Sequence, residues 1–227
     1  MKGTTVFNQY RLPLITAVLL LGCMSCNPMG ETVQDPASKG TESGPEWALG
    51  AMVSAANPHA VDAATAILAK GGSAIDAAIA AHTVLGLVEP QSSGLGGGAF
   101  MLSYNNTTDE LSFIDGRETA PALASIDMFM KDSEVMGFIE AWQSGIAVGT
   151  PGAVALYASA HQMGGRLPWP ELFETAIELA SNGFLVSPRL AGYLPTMARR
   201  SRLAINPDTA AYFYPEGEAL QEGDLLK

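Results

Sequence analysis

The stretch Asp115-Gly116-Arg117-Glu118-Thr119-Ala120-Pro121 carries residue types that could do chemistry at close spacing. It closes an apolar run, so a strand would deliver one arginine and two acids together at its end. A guanidinium is planar, and its N–H fork matches the two oxygens of a carboxylate. From the residues alone, the plainer reading is that Arg117 pairs with Asp115 or Glu118. Gly94-Leu95-Gly96-Gly97-Gly98 is a second candidate, because bare backbone N–H groups can hold phosphate. A Walker loop, however, ends in Gly-Lys-Ser/Thr, and a dinucleotide loop follows a strand and opens a helix. Here the glycines follow a helical pattern and open a strand, which favours close backbone approach between layers over nucleotide binding. There is no Gly-x-Ser-x-Gly elbow, no His-Glu-x-x-His, and no cysteine beyond Cys23 and Cys26. The sequence therefore supplies no nucleophile–base pair. His59, His82 and His161 are too scattered for metal-ligand spacing, so neither a metal nor an organic cofactor is implied.

The elements that must position these residues have local signals. Asn57-Pro58 predicts a helix start, with Val61, Ala64 and Leu68 on one face as far as Lys70, and Gly71-Gly72 as its stop. Ser73 with Asp76 three residues later reads as a capping box. It opens a helix with Ile75, Ala78, Ile79 and His82 as its buried stripe, His82 being a core histidine. Ala99–Tyr104 and Leu111–Asp115 read as paired strands around a turn at Asn105-Asn106-Thr107. Residues 131–145 read as irregular. Further helices are expected from Thr150-Pro151 to about Met163, over Pro170–Ser181 (core side Leu172, Phe173, Ala176, Ile177 and Ala180), and from Ser187-Pro188. Arg199, Arg200 and Arg202 at the end of the last fit a helix C-terminus. The fold class is α+β, helices packed on an antiparallel sheet.

Charge and the N-terminus bound the setting. The 227 residues are 48% hydrophobic and 15% charged, with a formal net charge of −11. An acidic surface repels phosphate backbones, which argues against nucleic acid as a partner. Lys2 and Arg11 precede an apolar run, Leu12 to Leu21, that ends Leu20-Leu21-Gly22-Cys23. That run is far shorter than the roughly 20 residues of a membrane span and has the length of a signal-peptide core. Its end resembles a bacterial lipobox. Residues 1–22 are thus expected to be a lipoprotein signal peptide, with Cys23 lipidated. Residues 23–46 would be a flexible tether, and the folded part is residues 47–227. Loss of two positive charges with residues 1–22 would take the net charge to −13. The expected location is the periplasm or outer membrane, lipid-anchored.

Several ordered motifs resemble the γ-glutamyltranspeptidase (glutathione hydrolase) family. They are Gly71-Gly72-Ser73-Ala74-Ile75-Asp76-Ala77-Ala78, Glu89-Pro90-Gln91-Ser92-Ser93-Gly94-Leu95-Gly96-Gly97-Gly98 and Asp115-Gly116-Arg117-Glu118-Thr119-Ala120-Pro121. Gly149-Thr150-Pro151-Gly152, Ala180-Ser181-Asn182-Gly183-Phe184 and Pro215-Glu216-Gly217 also fit, so the resemblance covers about residues 47–227. It implies part of an N-terminal nucleophile hydrolase αββα sandwich. It also implies a precursor that cuts itself into a large and a small subunit, and an N-terminal Thr of the small subunit that attacks a γ-glutamyl carbonyl. By the same resemblance Arg117 binds the α-carboxylate of the glutamyl group, with Asp115 and Glu118 aiming the guanidinium.

The substrates implied are glutathione and other γ-glutamyl amides, and the partner is the small catalytic subunit. The family's large subunit runs beyond position 227, so the catalytic residues are expected outside this chain, which alone would be inactive. A partial sandwich would also leave sheet edges and apolar faces without partners. The alternatives are a truncated non-catalytic lipoprotein, or a family member acting as a cephalosporin or glutaryl acylase.

Overall fold

The computed structural model describes residues 50–227 apart from Arg202. The signal peptide, Cys23 and the tether expected from the sequence lie outside the described residues, as does Arg202.

Local capping defines the first two helices. α1 (Pro58–Ala69) is capped by Asn57, whose side chain accepts from the His59 N–H at 3.0 Å. It stops at Gly71, where φ is +88°, a conformation that glycine adopts without strain. α2 (Ala74–Val88) opens on the expected capping box. The Ser73 hydroxyl accepts from the Asp76 N–H at 3.1 Å, and Asp76 accepts from the Ser73 N–H at 2.8 Å. β1 (Ala99–Asn105) and β2 (Glu110–Gly116) then pair antiparallel, from Ala99 opposite Gly116 to Asn105 opposite Glu110.

The segment that reads as irregular in sequence contains small elements. β3 (Met130–Lys131) and β4 (Glu134–Val135) form a tight hairpin, with Asp132 and Ser133 both at positive φ, and α3 (Phe138–Trp142) follows. Two central residues at positive φ make the turn whose twist suits a two-residue hairpin, though neither is glycine. α4 (Ala153–Gly164) starts later than the sequence suggests. Pro151 keeps Thr150 extended, and Thr150 forms a bridge with Thr119 instead of entering the helix.

After a 3-10 turn, Trp169–Phe173, come α5 (Glu174–Asn182), β5 (Phe184–Leu185) and α6 (Pro188–Arg200). Ser187 caps α6 by accepting from the Leu190 N–H at 3.0 Å. Arg199 and Arg200 lie in the last turn of α6, as expected. α7 (Pro207–Phe213) and β6 (Leu225–Leu226) complete the described elements, β6 pairing antiparallel with β5.

The α1–α2 pair is the shared centre of two apolar clusters. One joins Ala60, Ala63, Val84 and Val88 to Phe184, Leu190, Leu194 and Tyr214. The other joins Ala64, Ile67, Ile79 and Ala80 to Ala153, Leu156, Tyr157 and Leu172. Because partners lie on more than one side, the buried faces depart from the expected stripes. In α1 the buried residues are Ala60, Ala63, Ala64 and Ile67, while Val61 and Leu68 are half-buried. In α2, Ala78 faces solvent and Ala77, Ala80 and Val84 are buried. In α5 the 3-10 turn, with three residues per turn, rotates the face that follows. Leu172 and Ala176 are buried, but Ile177 and Ala180 are exposed.

The β1–β2 ribbon packs its inner face (Ala99, Met101, Ile114) into the second cluster. Its outer face, Phe100, Leu102, Tyr104, Leu111 and Phe113, is exposed, with Phe100 stacked on Phe113 at 5.8 Å between centroids.

Candidate functional site

Three stretches singled out in the sequence meet backbone to backbone at the end of the β1–β2 ribbon. A Cβ placed on Gly98 would stand 2.6 Å from the Gly116 carbonyl oxygen, 2.7 Å from Glu118 Oε2 and 2.8 Å from the Glu118 nitrogen. One placed on Gly152 would collide with the Gly116 carbonyl, and one on Gly116 would stand 2.6 Å from Leu156 Cβ. Only glycine fits at these crossings. The Gly97 carbonyl accepts from both the Gly152 and Ala153 N–H groups at 3.1 Å. Those are the amides of the N-cap and the first residue of α4, so the loop packs its own carbonyl against the helix start. The glycines serve close approach, as the sequence favours. The Thr150 N–H donates to the Thr119 carbonyl at 2.8 Å and the Thr119 N–H returns the bond at 3.3 Å, holding the residues after Glu118 against Gly149–Gly152.

This frame presents Arg117. Asp115 Oδ1 accepts from the backbone N–H of Arg117 at 2.9 Å. Asp115 therefore fixes the main chain of Arg117 at the strand end and forms no ion pair with its guanidinium. Glu118 makes the guanidinium contact, with Oε2 3.4 Å from Arg117 Nη1. Glu118 is 30% exposed and Arg117 is 68% exposed, so one edge of the fork is held and the rest faces solvent. Glu118 Oε2 is itself buried and accepts no hydrogen bond from the described residues. Beside the pair lies an open depression of about 380 Å³, walled by Thr119, Pro121, Met128, Phe129, Ile146 and Val148. A larger open cleft of about 1150 Å³ lies between residues 131–144 and the α6–α7 region. Its charges are the Lys131–Glu140 pair, at 2.8 Å, and it contains none of the site residues.

Two buried acids support the frame, and sequence reading gave only one of them a role. Asp76 is fully buried and does more than cap α2. Its Oδ2 also accepts from the Arg166 N–H at 2.8 Å and the Leu167 N–H at 3.3 Å, tying the turn after α4 to the start of α2. Burial pushes its pKa up, but the backbone N–H groups of Ser73, Arg166 and Leu167 and the Ser73 hydroxyl outweigh it, so the carboxyl lies below its usual value. Glu89 is 1% exposed and accepts from Asn57 Nδ2 at 2.8 Å and Gln91 Nε2 at 2.6 Å. The signal available for it was an acid directly after an apolar helix and directly before the glycine loop.

His82 behaves as a core histidine. It shares a hydrogen bond with Tyr157, burial lowers its pKa, and burial pushes the Tyr157 phenol up to about 12. Among the described residues, no group of three or more His, Cys, Asp or Glu is placed to hold a metal ion.

A glycine-laced ribbon end presents one half-held arginine on an α+β scaffold. The gamma-glutamyltranspeptidase family model matches residues 60–227. The chain is 38% identical over 176 residues to the glutathione hydrolase proenzyme of Bacillus subtilis, covering 77% of this chain and 30% of that one. It superimposes on the crystal structure of Helicobacter pylori gamma-glutamyltranspeptidase with a TM-score of 0.71 and 30% identity, over 78% of this chain and 50% of that one. A cephalosporin acylase from Bacillus halodurans aligns with a TM-score of 0.61 and 29% identity, over 75% of this chain and 32% of that one.

The chain belongs to the γ-glutamyltranspeptidase family, and its fold is part of an N-terminal nucleophile hydrolase sandwich. It spans about a third of the length of the curated relatives it matches.

Proposed function

We propose that this chain is the N-terminal part of a large subunit whose whole protein hydrolyses or transfers γ-glutamyl groups from glutathione and related amides. The observation that carries the reading is Arg117. Its guanidinium is tethered at one edge by Glu118 and open at the other, beside an open depression. A glutamyl α-carboxylate would complete the fork with two charge-assisted bonds. The attacking Thr and the donors that stabilise the tetrahedral intermediate belong to sequence outside this chain, so the isolated chain is inactive and a small subunit is its partner. The N-terminal lipobox supports export as a lipoprotein anchored through Cys23.

The likeness to a cephalosporin acylase supports a second reading, a glutaryl acylase, because a glutaryl carboxylate would also fit Arg117. The test uses the full-length protein with γ-glutamyl-p-nitroanilide and glutaryl-p-nitroanilide. Arg117→Ala is expected to lower kcat/KM about 100-fold, the scale of losing a charge-assisted pair. A near-wild-type value sinks the assignment. Faster turnover of the glutaryl compound by the wild type would favour the acylase.

A further inference from the structure

Glu89 is a buried carboxylate held by neutral groups. Among the described residues no Lys, Arg or His is within ion-pair distance of it, and its two partners are the side-chain amides of Asn57 and Gln91. Taking a carboxylate out of water without a cation is costly. A core selected for stability alone would be better filled by an apolar side chain.

The two partners lead to different places. Asn57 is the cap of α1. Gln91 begins the loop that ends at Gly98. That loop is then held along its length. The Ser92 N–H donates to the Glu89 carbonyl at 3.0 Å, and Gly94 passes so close to α2 that a Cβ on Gly86 would stand 3.3 Å from Gly94 Cα. The Gly97 carbonyl accepts from the N-cap and first-residue amides of α4, and Gly97 and Gly98 lie directly under the Glu118 carboxylate. Glu118 in turn holds Arg117.

We infer that Glu89 and Gln91 are positioning residues. Their hydrogen bond fixes the root of the glycine loop, and the loop sets where Glu118 holds the Arg117 guanidinium. This rests on the reading of Arg117 as the carboxylate-binding group. The Asn57 branch fastens α1 to α2 and bears on stability, whereas the Gln91 branch bears on the site.

The branches are separated by steady-state kinetics of the full-length protein with γ-glutamyl-p-nitroanilide, read beside Tm. Gln91→Met keeps the volume and removes the donor. It should raise KM roughly tenfold with kcat within about threefold, the signature of lost substrate binding. Glu89→Leu should do the same. Glu89→Gln should recover most of the loss, because Gln91 can turn its amide and accept from the new side chain. Asn57→Ser keeps a capping oxygen and loses the bond to Glu89, so it should lower Tm and leave KM in place.

A Gln91→Met KM within about twofold of wild type, or an equal KM rise in Asn57→Ser, overturns the inference. Arg117→Ala is measured alongside. If it cripples kcat/KM while Gln91→Met does not, only the positioning role fails. If Arg117→Ala is also silent, the carboxylate reading falls and the positioning role with it.

Discussion

Gly98→Ala tests whether the glycine loop serves backbone packing. The added methyl would lie 2.6 Å from the Gly116 carbonyl oxygen and 2.8 Å from the Glu118 nitrogen, both main-chain atoms in a paired strand and its continuation. Ordinary contacts of a Cβ begin near 3.4 Å, so the loop and the ribbon end must part by several tenths of an ångström. The third neighbour, Glu118 Oε2 at 2.7 Å, belongs to a side chain and could swing away, but only by leaving Arg117. Overpacking of this kind costs about 1–3 kcal/mol. Gly96→Ala is the control, since a Cβ there meets nothing within 4 Å and the backbone is not left-handed. Removing a glycine from such a site is neutral or stabilises by about 0.4–1 kcal/mol. Chemical denaturation of the full-length variants should separate the two substitutions by about 1–4 kcal/mol, and Gly98→Ala alone should raise KM. Equal unfolding midpoints for the two variants would refute the packing argument for the whole loop.

Two further expectations concern stability and pH. Asp76→Asn replaces an acceptor of three backbone N–H groups at a fully buried position and should cost about 2–4 kcal/mol by urea unfolding. Because the folded carboxyl lies below its ordinary value, the stabilisation from Asp76 is complete above about pH 4 and is lost as pH falls through the folded pKa, a slope that Asp76→Asn should flatten. His82 is also depressed, by burial, so protonation favours the unfolded chain. Stability should decline as pH drops below about 6.5, and His82→Gln should remove that part of the pH dependence.

Much of the site was legible as sequence because its pieces are contiguous. The run 115–121 names its arginine and acids, and the glycines of 94–98 announce close approach without saying to what. The division of labour between the two acids was not legible. Asp115 and Glu118 flank Arg117 symmetrically enough in sequence, yet one grips the main chain and the other the guanidinium. The bridge between Thr119 and Thr150 joins residues 31 positions apart, and nothing local specifies it.

The starts of α1, α2 and α6 and the turn of the ribbon are written locally, whereas α4 and α5 begin later than their local signals suggest. Asn57-Pro58, Ser73 with Asp76, and Ser187-Pro188 act through hydrogen bonds that close within two or three residues, so the signal and the structure are the same few atoms. Tertiary structure alone decided which faces are buried and what the glycines touch. α2 is apolar over much of its circumference, and its buried side is chosen by α1 and α4, not by its own periodicity. Likewise Glu89 is an ordinary surface residue type until Asn57, 32 positions earlier, and Gln91 close over it. Burial and backbone crossing depend on partners distant in the chain, and a local pattern carries no record of them.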